Sequence, residues 1–152
     1  MEKINLLDKD RDNYVKKEIT ELASRTAHKT LATWAIDCAE HVLFYFEEKY
    51  YKDNRPRKAL EAGYAWVRNQ ISVSEARSAA FASHDAARDT EGIASAVARA
   101  AGHAAATAHV PRHAIHAANY AAITPRERIW QYKHLLKLRN RSWGLHSKNI
   151  SS

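Results

Sequence analysis

The chain has few of the residues that punctuate or staple a fold: four glycines, three prolines and one cysteine among 152 residues. With Cys38 alone, no disulfide can form within the chain, which agrees with a reducing compartment. Runs of alternating β-branched residues are missing, so sheet architectures lose their support and helices remain. Charges at Arg77, Arg88, Arg99 and Arg112 break the later apolar segments. No stretch therefore reaches the roughly 18 to 20 apolar residues needed to span a bilayer. The opening MEKINLLDKDRDNYVKK is charged throughout and offers no signal-peptide core. A soluble cytoplasmic protein without membrane contact is expected. Phosphate-binding glycine loops, the nucleophile-elbow pattern, HExxH and CxxC are also missing. These absences favour a non-enzyme with no cofactor.

What is present begins with charge. The formal net charge is +7, unevenly placed: residues 1–53 sum to −2, residues 54–123 to +3 and residues 124–152 to +6. A basic C-terminal end can meet nucleic acid or an acidic protein, although such runs are often only solvated helix faces.

The hydrophobic pattern predicts an all-α protein, a compact bundle of about six to seven helices forming a single domain over residues 1–152. A short amphipathic helix is expected from about Asp12 to Ser24, bearing Tyr14, Val15, Ile19 and Leu22. A second is expected from about Ala27 to Tyr50, with Leu31, Trp34, Cys38, Val42 and Tyr45 as its core stripe and Asp37, His41, Phe44 and Glu48 beside it. Asp53 or Asn54 can cap a third helix, with Pro56 in its first turn. Ser72 and Glu75 have the spacing of a capping box, as do Thr124 and Glu127. Gly92 marks the turn into a fifth helix, and Pro111 separates that helix from one at about Arg112–Ala122. The last helix, RERIWQYKHLLKLRN, is expected to bury Ile129, Trp130 and Leu136, with a basic tail from about 139 to 152. Alanine is dense between Ala76 and Ala122, so close-packed helices there should be wrapped by Trp34, Trp66, Phe81 and Trp130.

Several polar groups could carry chemistry. In a helix continued through Pro111, His109, His113 and His116 would share one face, as metal-binding imidazoles do. The proline instead places His103 and His109 on one helix, with His113 and His116 on the next. The first two are expected to be half-buried and hydrogen-bonded, the second two more exposed. Asp37, Cys38 and His41 have the spacing of a thiol with an imidazole base, but Cys38 falls in the core stripe, and Asp37 with His41 more simply makes an i,i+4 pair. Arg55 and Arg57 stand at a helix start, where the dipole disfavours cations. Either they pair with Asp53, Glu61 or Glu47, or they grip an acidic partner bidentately. The candidate polar cluster is Asp37, His41, Arg55, Arg57, His84, His103 and His109.

Five blocks in order, WAIDCAEHVLFYFEEKY, DNRPRKALEAGYAWVRNQ, SEARSAAFASHDAARD, ARAAGHAAATAHVPRHAIHAANYAA and RERIWQYKHL, resemble the Imm-five-like immunity proteins of bacterial polymorphic-toxin systems. The resemblance covers about residues 28–138, leaving the first helix and the tail as additions. It implies a small helical cytoplasmic protein that binds and neutralises a cognate toxin, and it brings no catalytic residues. Two alternatives come from other classes. One is a metal- or thiol-dependent enzyme on the histidine-lined helices, centred on His84, His103 and His109 with Asp37 and His41. The other is a nucleic-acid binder using the segment from Arg126 to Lys148, with Tyr132 and Trp143 for stacking.

Overall fold

Helix-forming residues dominate almost every segment, and the computed structural model is correspondingly all helical among the described residues. It describes residues 6–150, with side chains described for residues 8–141. In chain order the helices are α1 (Leu6–Ser24), α2 (His28–Val42), α3 (Phe44–Glu47), α4 (Arg55–Val67), α5 (Val73–Arg88), α6 (Gly92–Ala106), α7 (His113–Ala121) and α8 (Pro125–Ile150). Because α3 is a single turn, seven longer helices make the bundle.

Two kinds of packing build the core. Between α5, α6 and α7 the buried side chains are mostly alanines: Ala76, Ala80, Ala86 and Ala87 face Ala94, Ala98, Ala101 and Ala105, with Ala114, Ala117, Ala118 and Ala121 beyond. Methyl groups allow the helix backbones to approach closely, so dispersion contacts are dense although each side chain is small. Ser83 is the polar member of this seam, and its hydroxyl donates to the Ala98 carbonyl at 2.7 Å. Across α2, α3, α4 and α8 the core is instead large: Trp34, Ile36, Leu43, Phe46, Leu60 and Leu135 are fully buried. At Gly63, an added Cβ would lie 2.8 Å from Ile36 Cδ1, so any larger residue there would require Ile36 to shift.

The ends of the helices show which local signals operate. The capping box of Ser72 and Glu75 is formed. Asp53 contributes at the start of α4, its Oδ1 accepting from the Arg55 backbone N–H at 3.1 Å. At α8 the expected box is replaced: the Glu127 backbone N–H bonds the Thr124 carbonyl, and the Glu127 carboxylate accepts from His41 instead. A partner on another helix has won over the local cap.

Several expectations about buried faces are corrected. The Ala27–Tyr50 helix is interrupted at Leu43, where the Leu43 and Phe46 backbone N–H groups bond to carbonyls three residues back. That tighter turn goes with Leu43 and Phe46 in the core and with Phe44 and Tyr45 exposed. Phe81 is 59% exposed because the Ala-packed side of α5 has no room for a ring; it lies outside under Arg77. On α8 the buried stripe is Arg128, Gln131 and Leu135, while Ile129 and Leu136 are exposed. Gln131 is buried because both ends of its side-chain amide have partners: Nε2 donates to the Ala118 carbonyl at 2.8 Å, and Oε1 accepts from Arg128 Nη1 at 3.4 Å, while its backbone carbonyl accepts from Trp34 Nε1 at 2.8 Å. The first helix starts six residues earlier than Asp12. The last continues to Ile150 where a tail was expected; Trp143 and Lys148 lie outside the described side chains.

α1 packs on α8, burying Ile19 and Ala23. Arg139 then ties the α1–α2 turn by donating to the Arg25 carbonyl at 2.6 Å and to Thr26 Oγ1 at 2.8 Å.

Candidate functional site

Histidines supply two clusters of different chemistry: of the sequence-predicted residues, Asp37 and His41 fall in one, His84 and His103 in the other, and Arg55, Arg57 and His109 in neither. The first lies on the outer face of α2 against α8. His41 Nδ1 donates to Glu127 Oε2 at 2.6 Å, and His134 Nε2 donates to Asp37 Oδ2 at 2.7 Å. Between the two imidazoles lies Trp130, nearly parallel to both, with ring centroids 3.9 Å from His41 and 4.7 Å from His134. The result is a His–Trp–His stack in which each outer ring is oriented by a carboxylate. Asp37 is further held by the Tyr64 hydroxyl, which donates to its Oδ1. Burial and this bond to Asp37 push the Tyr64 hydroxyl above its usual range. It therefore stays a donor at neutral pH.

The i,i+4 pairing expected for Asp37 and His41 is thus not made; each turns to α8 or α4 instead. Stacking on Trp130 draws His41 toward Glu127, and His134 offers Asp37 an N–H from the facing helix. Cys38 lies in the core beside them. Burial first, then the negative charge of Asp37 and Glu127, raises its thiol well above the usual value. It remains a thiol at neutral pH, in contrast to the thiolate of an activated cysteine.

The second cluster sits where α5, α6 and α7 meet. His103 is its centre: ring centroids lie 4.8 Å away at His84, 5.2 Å at His113, 5.3 Å at His116 and 5.4 Å at Tyr120. The His103 and His113 Nδ1 atoms are 3.0 Å apart. His84 covers Gly102 so closely that an added Cβ would lie 2.7 Å from its Cε1, and its buried Nδ1 has no hydrogen-bond partner among the described residues. Burial, then the neighbouring His84, His113, His116 and Arg99, lowers the His103 pKa to about 4. His84 is lowered by burial and by Arg99 and Arg88, and His113 by burial and by His116 and Arg112. These rings are neutral at physiological pH.

Pro111 does divide the run, but not as expected for every ring. α6 ends at Ala106, and the turn that follows carries His109 out to solvent. His113, at the start of α7, swings back against His103 and is half-buried. His103 is half-buried and bonded, and His116 is exposed, both as expected.

The two arginines are engaged in ion pairs. Arg55 bonds Asp53 through Nε and Nη2 at 2.9 and 2.7 Å, and Asp89 at 2.9 Å. Those bonds hold the Asp53 carboxyl below its usual pKa. Arg57 bridges Glu40 and Glu47, each at 2.7 Å. Neither uses Glu61, and the fork geometry spent on internal carboxylates leaves less for a partner.

Sequence reasoning missed His134 and His28. The signal for His134 was its i+4 spacing from Trp130, a stacking distance on one helix face. No local signal marks His28, whose Nε2 donates to the Thr107 carbonyl 79 residues away at 2.6 Å.

A protein-family model, described as Imm-5 like putative immunity protein, matches residues 21–137, from the last turn of α1 into the middle of α8. No curated protein matches the chain, and no solved structure does.

Proposed function

The chain belongs to the Imm-5 like immunity protein family, and from that premise we propose that it binds a cognate bacterial toxin in the cytoplasm and blocks it by protein–protein contact. The family match carries this reading, and the surface supplies a contact face of suitable chemistry. Phe44 is 48% exposed, Tyr51 78% and Ile93 52%. Tyr45 and Ile93 line one groove with Lys49 and Glu91. Aromatic anchors ringed by charged groups are what high-energy interface positions are made of. Binding through α3 and the turn after it also suits a non-enzyme, since neither histidine cluster need be touched.

Co-expression with the product of the neighbouring gene tests this. Growth should be restored by the wild-type chain, and the double variant Phe44→Ala, Tyr51→Ala should bind at least tenfold more weakly with an unchanged Tm. Continued toxicity with the wild-type protein present would sink the proposal.

One observation favours a second reading. Arg126, Lys133, Lys137 and Arg141 are all exposed and fall along one face of α8 at helical spacing. Such a stripe suits a nucleic-acid backbone. Salt-sensitive RNA or DNA binding that Lys133→Glu, Lys137→Glu abolishes would support it. Binding unaffected by that reversal of charge would dismiss it.

A further inference from the structure

Outside the carboxylate-linked stack, imidazole nitrogens come into direct contact, among the described residues, where His103 meets His113. Their Nδ1 atoms face each other at 3.0 Å. Two imidazole nitrogens sharing a tetrahedral metal, with bonds of about 2.0 to 2.1 Å, stand about 3.3 Å apart, and their ring centroids about 5 Å apart. The observed centroid separation is 5.2 Å. The two Nδ1 atoms, now in hydrogen-bond contact, would have to part by about 0.3 Å to share one ion.

We propose that His103 and His113 form a two-histidine site for a borderline divalent transition metal, Zn(II), Ni(II) or Cu(II), joining the C-terminal half of α6 to the start of α7. As the ion binds, the proton shared between the two Nδ1 atoms moves to Nε2 of the ring that carried it. Both rings then present a lone pair, and no net proton is released. Among the described residues, no three His, Cys, Asp or Glu side chains are arranged around a common ion. The protein thus supplies two ligands and water completes the shell. Imidazole pairs prefer borderline metals, and the Irving–Williams order makes Cu(II) the tightest. Arg99 beside His103 and Arg112 beside His113 oppose the added charge, so affinity is lower than for a three-ligand centre.

The test uses the full chain without a polyhistidine tag, stripped with EDTA and titrated calorimetrically at pH 7.5 with ZnCl2, NiCl2 and CuSO4. One ion per chain is expected, tightest for Cu(II), with a Tm rise of several degrees that EDTA reverses. His113→Gln, with circular dichroism confirming its fold, should weaken binding at least tenfold, whereas His109→Gln should leave it unchanged. The Cu(II) electron paramagnetic resonance spectrum should show coupling to two imidazole nitrogens. Absence of binding by the wild type, or binding that survives in both His113→Gln and His103→Gln, would overturn the site. So would a loss in His116→Gln while His113→Gln still binds.

Discussion

The two histidine clusters show one side chain used in opposite ways within a single bundle. On α2 and α8, His41 and His134 each donate to a carboxylate and close on the faces of Trp130. At the α5–α6–α7 joint, His103 meets other imidazoles, and the charged groups nearest to it are cations such as Arg99. The first arrangement fixes rings by strong directional bonds between helices far apart in sequence. The second keeps rings neutral by burial and by the repulsion of like charges. What surrounds an imidazole, rather than its position on a helix, decides which of these it does.

That contrast can be broken from either side. Trp130→Ala should have the largest effect, because it removes the spacer that both carboxylate-bound rings stack on. A loss of about 2 to 3 kcal/mol is expected, below the range for a fully buried Trp because Trp130 is only half-buried. Urea unfolding followed by circular dichroism measures it; a loss below about 0.5 kcal/mol would mean the stack is incidental. Gly102→Ala attacks the other cluster by overpacking, as its Cβ would meet the His84 ring at 2.7 to 2.9 Å. About 1 to 3 kcal/mol of destabilisation is expected, and the loss should shrink in Gly102→Ala, His84→Ala, where the obstructing ring is gone.

A smaller effect follows from pH. In metal-free buffer, His103 has a folded pKa of about 4, below the ordinary histidine value of 6.5. The unfolded chain thus binds a proton first as the pH falls. The contribution of neutral His103 to stability is complete above about pH 6.5 and is lost on acidification through the window down to about pH 4. Tm should fall between pH 7 and pH 5, and His103→Gln should fall less. Equal slopes in the two proteins would show that His103 is not the group responsible. Least of all, His109→Ala at its exposed turn should change stability by no more than about 0.5 kcal/mol.

Much of this contrast could not be seen in the chain. Asp37 and His41, four residues apart, satisfied a local pairing rule that the fold overrode with partners 97 and 86 residues away. Long-range partners leave no periodicity. The Ala-rich helices, by contrast, were legible because alanine density and the turns at Gly92 and Pro111 are local properties. Their outward faces were less so: Phe81 is apolar and helical, yet only the tightness of the neighbouring seam pushes it into solvent. On α8, apolar character pointed to Ile129 and Leu136, whereas the core accepted Gln131 because the Ala118 carbonyl and Arg128 gave its side-chain amide partners.

The amino-acid sequence by itself determined that the protein is helical and roughly where most helices begin and end, and five ordered blocks carry its resemblance to the Imm-5 like family. The helices and their ends follow from backbone propensity, capping and hydrophobic spacing, which act over a few residues. Only the tertiary structure decided which histidines meet carboxylates and which meet one another. It set that choice by bringing α8 against α2 and folding α7 back on α6, and the chemistry of an imidazole depends on the neighbour such packing supplies.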